Sequence, residues 1–114
     1  MSLDLAVVIV NYNVRDLLRE CLRTVYASTG EVRFAVVVVD NDSTDGSLEM
    51  VRTEFPQVKI IHNRENVGYP AANNQGLRAL GVLDEADAPR YALLLNPDTE
   101  VPPDCFSYFV AYMD

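Results

Sequence analysis

Carboxylates, amides and hydroxyls directly follow apolar runs at several points of this 114-residue chain. The clearest case is residues 36–39, four valines that lead into a polar segment, 40–47, which begins with Asp40. Valines without polar alternation predict a strand covered on both faces, as in a parallel sheet. Ligands bind at the carboxyl ends of such strands, so Asp40 is expected at a binding site. The side-chain oxygens of residues 43–47 suit either this site or the cap of the next helix.

Three further apolar runs, 5–10, 58–62 and 91–95, also lead into polar residues. Because the tips of parallel strands share one edge of a sheet, the polar residues should meet there. A further polar group, the adjacent amides at 73 and 74, stands where a helix is expected to begin. The residues predicted around the crevice are Asn11, Tyr12, Asp40, His62 and Asp98, with Asn73 and Asn74 at its rim.

This set of side chains suits a nucleotide diphosphate. An aromatic ring and amides fit a flat base and hydroxyls, while a lone aspartate beside a phosphate usually implies a bridging Mg²⁺ or Mn²⁺. The formal net charge of −8 argues against nucleic acid as a partner and is compatible with a bound divalent cation. His62 is the only histidine, and a structural role is the simpler interpretation for it.

The elements that must position these residues alternate between strand and helix. Apolar residues recur at helical spacing after the first strand, with Asn13 as the predicted N-cap, and a second helix is expected to end before Pro56. The small residues of a third helix, which share one face from Ala72 to Leu83, suit either a ligand that lies over the sheet or tight packing on the strands. A last helix should carry Phe106, Phe109, Val110 and Met113 on one side. A charged loop, 84–89, is expected to be solvated. Right-handed crossovers turn this order into one α/β domain, residues 1–114, with a Rossmann-like parallel sheet, helices on both faces and the strand at 58–62 toward an edge.

The cysteine content and the lengths of the apolar runs indicate the cellular compartment in which the protein is expected. The two cysteines, Cys21 and Cys105, have no short spacing, so neither a zinc ribbon nor a disulfide framework is indicated, and Cys21 lies on the apolar side of its helix. A reduced, cytoplasmic setting is the simplest interpretation, and membrane association of a longer protein stays open. No apolar run approaches the roughly 20 residues of a membrane span. Exposed strand edges make self-association plausible.

Several nucleotide and hydrolase motifs are absent from the sequence. It lacks Gly-x-x-x-x-Gly-Lys-Ser/Thr and has no Gly-x-Gly-x-x-Gly after the first strand, which argues against P-loop and dinucleotide-binding proteins. Gly-x-Ser-x-Gly and His-Glu-x-x-His are also missing. A nucleotidyltransferase would need a Gly-rich basic loop where residues 11–15 read NYNVR, and a receiver-like interaction module would need paired acids there and a late lysine. Both remain alternatives to an enzyme that binds a nucleotide diphosphate.

Four segments resemble, in order and spacing, the signatures of family 2 glycosyltransferases with the GT-A fold. They are 8–13 (VIVNYN), 39–47 (VDNDSTDGS), 66–68 with 73–76 (NVG and NNQG), and 94–99 (LLNPDT). The resemblance implies that Tyr12 lies against the nucleobase, Asp40 hydrogen-bonds the base, Asn74 contacts the donor and Asp98 holds Mg²⁺ or Mn²⁺. Asn96 replaces the first acid of the metal motif, as in rhamnosyltransferase-like members.

The same resemblance implies a reaction. A UDP- or dTDP-linked sugar would be transferred with inversion to a hydroxyl of a saccharide or lipid-linked acceptor, with a carboxylate as general base. The base is expected beyond residue 114, so these residues would be the N-terminal, donor-binding part of a larger enzyme. We therefore expect no sugar transfer by the 114 residues alone.

Overall fold

The computed structural model describes residues 3–82 and 88–114. Its elements are β1 (Leu5–Asn11), α1 (Arg15–Tyr26), β2 (Phe34–Asn41), α2 (Ser47–Glu54), β3 (Lys59–Asn63), α3 (Tyr69–Ala79), β4 (Tyr91–Leu95) and α4 (Cys105–Met113). The predicted alternation of strands and helices is confirmed. Leu83 and most of the predicted charged loop lie outside the described residues. None of the described helices has the length and apolar character needed to cross a membrane.

The four strands form one parallel sheet in the order β3-β2-β1-β4. All seven residues of β1 are buried, as are the last six of β2, because both strands are central and covered on both faces. β3 lies at an edge, as its more alternating sequence predicted. The register places Asn11 beside Asp40 and Asp40 beside His62, so three of the predicted residues stand side by side at the carboxyl edge.

Helices cover both faces of the sheet, which confirms the predicted α/β class. On one face, α1, α2 and α4 pack on alternate strand residues around Phe106, whose side chain is fully buried. Cys21 is buried in the same layer, so its predicted packing role is confirmed. On the other face α3 packs on Val8 and Val37 through Ala72. On the predicted apolar side of α4, Phe106 and Val110 are buried, whereas Met113 at the end of the helix is 50% exposed.

Gly76 lets α3 approach the centre of the sheet. A Cβ atom built on Gly76 would lie 2.5 Å from Val8 Cγ1 and 3.2 Å from Val37 Cγ1, closer than packed side chains allow. Of the two interpretations of the small face of α3, tight packing on the strands is the one observed at Ala72 and Gly76.

We expect Gly76→Ala to lower the free energy of unfolding by about 2 kcal/mol, because α3 must move away from β1 and β2. Urea denaturation followed by circular dichroism measures the change. Arg78→Ala, at an exposed position of the same helix, is the control and should stay within about 0.5 kcal/mol of the parent. An unchanged or raised stability for Gly76→Ala would contradict the close approach.

Candidate functional site

Asp40 and Asn11 form a buried hydrogen-bond network at the ends of β2 and β1. Asp40 Oδ1 accepts hydrogen bonds from Asn11 Nδ2 at 2.9 Å and from Ser43 Oγ at 2.7 Å, and Oδ2 accepts one from the Ser43 N–H at 2.8 Å. Neither Asp40 nor Asn11 is exposed to solvent. The carboxylate therefore holds the loop after β2, and its predicted contact with a base stays a prediction.

The loops after β1 and β2 are joined to each other. The Asn13 N–H donates to Ser43 Oγ at 2.9 Å, and the Thr44 N–H donates to Asn13 Oδ1 at 2.7 Å. Asn13 and Asp42 have positive φ angles of 52° and 70°, a conformation that asparagine and aspartate tolerate better than most residues. These contacts fix the two polar loops as one unit at the carboxyl edge.

Asp45 caps two helices at once. Its Oδ2 accepts a hydrogen bond from the Arg15 N–H at the start of α1, 2.9 Å away, and its Oδ1 accepts one from the Ser47 N–H at the start of α2, 3.0 Å away. The prediction that Asn13 caps α1 is wrong, because the side chain of Asn13 bonds to the other loop instead. Burial alone would raise the pKa of Asp45, but hydrogen bonds from the Ser47 side chain and from the N–H groups of Arg15 and Ser47 outweigh it, so the pKa lies below its ordinary value.

We expect Asp45→Asn to lower the free energy of unfolding by about 1 kcal/mol at neutral pH, the usual scale of a lost cap. Because folding lowers the pKa of Asp45, its contribution is complete above the unfolded pKa of about 4 and is lost as the pH falls through the folded value. The difference between parent and variant should therefore shrink on acidification. Chemical denaturation at several pH values measures it, and a difference that grows below pH 4 would contradict the assignment.

A cleft of about 370 Å³ opens between the carboxyl edge of the sheet and the start of α3. Tyr12 and Tyr69 stand on its wall and are 52% and 48% exposed, so both rings are available to a ligand. The floor is apolar at Val10, and amide side chains provide polar groups. The full set of lining residues is Val10, Tyr12, Val14, Asn41, Asn66, Tyr69, Asn96 and Pro97.

Asn41 is a cleft residue that the sequence analysis missed. It follows Asp40 directly, and alternation along β2 turns its side chain to the opposite face of the sheet, toward α3. Asn41 Oδ1 accepts a hydrogen bond from Asn63 Nδ2 at 3.0 Å, and Asn63 also pairs with Gln75 of α3. The signal in the sequence was a second polar residue at the end of each of two strands, Asn41 after Asp40 and Asn63 after His62.

Two buried amide oxygens at this end have no hydrogen-bond partner among the described residues. They are Oδ1 of Asn11 and Oδ1 of Asn73, in side chains that are 0% and 5% exposed. Buried acceptors are normally paired, so each can accept a hydrogen bond from a bound molecule or water. Asn73 lies buried in the first part of α3 and does not line the cleft, so its predicted place at the rim stays a prediction, and its neighbour Asn74 is exposed.

Asp98 comes directly after the cleft wall along the chain but does not line the cleft. It is exposed and follows Asn96 and Pro97, which line the cleft. Burial raises the pKa of the Cys21 thiol to about 12, and the charge of Asp98 adds to the shift, so the carboxylate lies near the covered side of α1. Within residues 3–82 and 88–114 no three His, Cys, Asp or Glu side chains form a metal-binding group. One exposed carboxylate still fits a Mg²⁺ or Mn²⁺ ion that takes its other ligands from water and phosphate.

The predicted residues thus fall into three groups. Tyr12 lines the cleft, whereas Asp98 and Asn74 are exposed and do not line it. Asn73 is buried in α3, while Asn11 and Asp40 are buried behind the loops. His62 is exposed at the edge of the sheet, with Nε2 4.0 Å from Asp42 Oδ1, and does not line the cleft.

An open parallel sheet with a polar cleft at its carboxyl edge defines a Rossmann-like α/β protein, and solved structures of GT-A glycosyltransferases share its fold. TarS from S. aureus, in complex with UDP, matches the whole chain with a TM-score of 0.79 at 24% identity, over 32% of the TarS chain. The mannosyltransferase PcManGT from Pyrobaculum calidifontis, in complex with GDP-Man and Mn²⁺, matches 69% of this chain and 25% of its own, with a TM-score of 0.61 and 29% identity.

Sequence comparison identifies the family. Residues 6–114 match the family model described as Glycosyl transferase family 2. The N-acetylglucosaminyl-diphospho-decaprenol L-rhamnosyltransferase of Mycobacterium tuberculosis is 30% identical over 103 residues, which cover 87% of this chain and 33% of that enzyme. The chain belongs to glycosyl transferase family 2 and spans about a third of the length of that relative.

Proposed function

We propose that this chain binds the nucleoside diphosphate sugar of a glycosyl transfer reaction in the cleft beside Tyr12. The observation that carries the proposal is the convergence of Tyr12, Asn41 and the segment before Asp98 on one cleft at the carboxyl edge of the sheet. The complexes of TarS with UDP and of PcManGT with GDP-Man support a donor of this class. The donor that we propose is UDP- or dTDP-linked.

The predicted crevice residues other than His62 each have a role in this proposal, and Asn41 is added to them. The ring of Tyr12 stacks on the base, and the amide of Asn41 meets the edge of the base. Asp40 and Asn11 order the loop that carries Asn41, while Asn73 and Asn74 contact the donor from α3. Asp40 therefore acts mainly from behind the cleft, because both its oxygens are engaged within the protein.

Asp98 would hold the divalent metal, and Asn96, two positions earlier, lines the cleft. When bound, Mg²⁺ or Mn²⁺ neutralises the diphosphate and stabilises it as a leaving group. The chain has a formal net charge of −8, so a diphosphate would otherwise meet an unfavourable field. The presence of Mn²⁺ in the PcManGT complex supports this choice of cofactor.

The reaction that we propose is inverting transfer to an acceptor hydroxyl on a saccharide or lipid-linked acceptor. The M. tuberculosis relative, an N-acetylglucosaminyl-diphospho-decaprenol L-rhamnosyltransferase, supports a lipid-linked acceptor. We assign the general base to none of the described residues. Its location beyond residue 114, the donor-binding role of residues 1–114 as one domain, and the cytoplasmic setting all stay predictions.

Isothermal titration of the chain with UDP, with and without Mn²⁺, tests the proposal. We expect saturable binding with Mn²⁺ and much weaker binding in the presence of EDTA. Absence of binding under both conditions would overturn the proposal and favour a non-catalytic interaction module. Tight metal-independent binding would contradict the role of Asp98.

We expect Tyr12→Ala to weaken UDP binding about tenfold, because stacking of a base on an aromatic side chain contributes on the order of 1–3 kcal/mol. Tyr12→Phe keeps the ring and should bind nearly as well as the parent. Tyr108→Ala removes another exposed tyrosine, on α4 and away from the cleft wall, and is the control. Equal affinities for Tyr12→Ala and the control would contradict stacking at Tyr12.

A further inference from the structure

Three amide side chains connect α3 to the wall of the cleft. Gln75 Nε2 donates to Asn63 Oδ1 at 3.0 Å, and Asn63 Nδ2 donates to Gln75 Oε1 at 2.7 Å. The same Asn63 Nδ2 donates to Asn41 Oδ1 at 3.0 Å. Asn41 and Asn63 are 3% and 9% exposed, and Gln75 is half-buried. The three amides therefore form a row of hydrogen bonds that is largely shielded from solvent and ends at the cleft.

The direction of these bonds decides which atom Asn41 can offer. Its Oδ1 is committed to Asn63, and its Nδ2 has no hydrogen-bond partner among the described residues. Nδ2 is not among the buried side-chain atoms that lack a hydrogen-bond partner, and Asn41 lines the cleft. Nδ2 is therefore the atom of Asn41 that can bond to a ligand in the cleft. An amide nitrogen is only a donor. The cleft thus presents a hydrogen-bond donor at this point.

We propose that Asn63 and Gln75 are positioning residues that keep the Asn41 amide in this orientation and so select uracil or thymine over cytosine. The inference rests on the proposed function. Uracil and thymine carry a carbonyl oxygen at the position where cytosine carries an amino group. A donor that faces this position of the base therefore pairs with the first two bases and opposes the third.

The polarity of Asn41 can reverse only if Asn63 changes with it. If Asn63 presented an acceptor to Asn41, Asn41 would donate Nδ2 to it and turn Oδ1 toward the cleft. Gln75 opposes this because it pairs with both the nitrogen and the oxygen of the Asn63 amide, so Asn41 can reverse only if Asn63 and Gln75 flip together with it. Asn63→Asp imposes the reversal, since a carboxylate only accepts hydrogen bonds.

The test compares the dissociation constants of UDP and CDP, both measured by calorimetry with Mn²⁺. The two ligands share the ribose and the diphosphate and differ at the edge of the base. For the parent chain we expect UDP to bind about tenfold more tightly than CDP, the scale of one hydrogen bond gained rather than opposed. Asn63→Asp should lower that ratio about tenfold or invert it. Gln75→Leu, which removes both bonds that hold Asn63, should move the ratio toward one.

Gln57→Leu makes the same change at an exposed position after α2 and should keep the ratio of the parent. A purely structural role for the amides would weaken both ligands equally and leave the ratio unchanged, which would overturn the inference. A parent chain that does not distinguish UDP from CDP would overturn it too, although the proposed function would stand. If Asn63→Asp does not fold by circular dichroism, the half-buried Gln75→Leu decides. A parent chain that binds no UDP would remove the proposed function and this inference together.

Discussion

Replacing Asp40 by alanine is expected to lower the free energy of unfolding by about 3 kcal/mol, the cost of leaving several buried donors without a charged acceptor. The carboxylate accepts from Asn11 Nδ2, from Ser43 Oγ and from the Ser43 N–H. The Ser43 N–H would lose its partner in the variant, and a small void would form at the end of β2. Because the Ser43 loop also holds Asn13, we expect the loops after β1 and β2 to separate and UDP binding to weaken.

Urea denaturation followed by circular dichroism measures this loss, since the chain contains no tryptophan. Asp104→Ala is the matched control, because Asp104 is exposed and its side chain makes no cap hydrogen bond at α4. The control should stay within about 0.5 kcal/mol of the parent. A similarly small change for Asp40→Ala would show that the buried carboxylate does not hold the loops.

Asp98→Asn is expected to weaken UDP binding in the presence of Mn²⁺ about 100-fold, at the upper end of what losing a supporting residue of a metal site costs. The change keeps the shape of the side chain and removes the charge that an oxygen-seeking cation needs. It should leave stability nearly unchanged, because Asp98 is exposed. The two effects separate a ligand of the metal from a residue that the fold requires.

Asp104→Asn is the control for this variant, since it removes one negative charge from the same acidic chain at an exposed position. Affinity for UDP with Mn²⁺, and affinity with EDTA, should be compared for both variants. We expect Asp98→Asn to lose the difference between the two conditions and Asp104→Asn to keep it. If both variants respond to Mn²⁺ as the parent does, Asp98 does not hold the metal.

The sequence predicted most of the fold because its strong signals are local. The valines of β2 and the apolar run of β1 are buried on both faces, and the helix that buries Leu18, Cys21 and Leu22 follows from their spacing. Contacts between loops carry no such local signal. Asn13 looked like the cap of α1, yet Asp45, thirty positions further on, supplies that hydrogen bond.

The candidate site was predictable in kind but not in detail. Tyr12 and Asp98 were identified from their place after apolar runs, and the family from four short segments. The sequence favoured Asp40 over Asn41 because Asp40 directly follows the valines, although both polar residues stand at the tip of the same strand. Alternation along β2 places the Asp40 side chain on the same face of the sheet as Asn11, to which it is hydrogen-bonded. It places the Asn41 side chain on the opposite face, where it lines the cleft.

The order of apolar runs and polar tips by itself determined the parallel α/β sheet and the edge where polar groups gather, while the resemblance of four short motifs indicated family 2. Hydrophobic periodicity and short motifs are properties of neighbouring residues, so they can be read along the chain. Only the tertiary structure decided which polar groups hold the loops and which face the cleft. Hydrogen bonds between β1, β2, β3 and α3 make that division, and their partners are distant in the sequence.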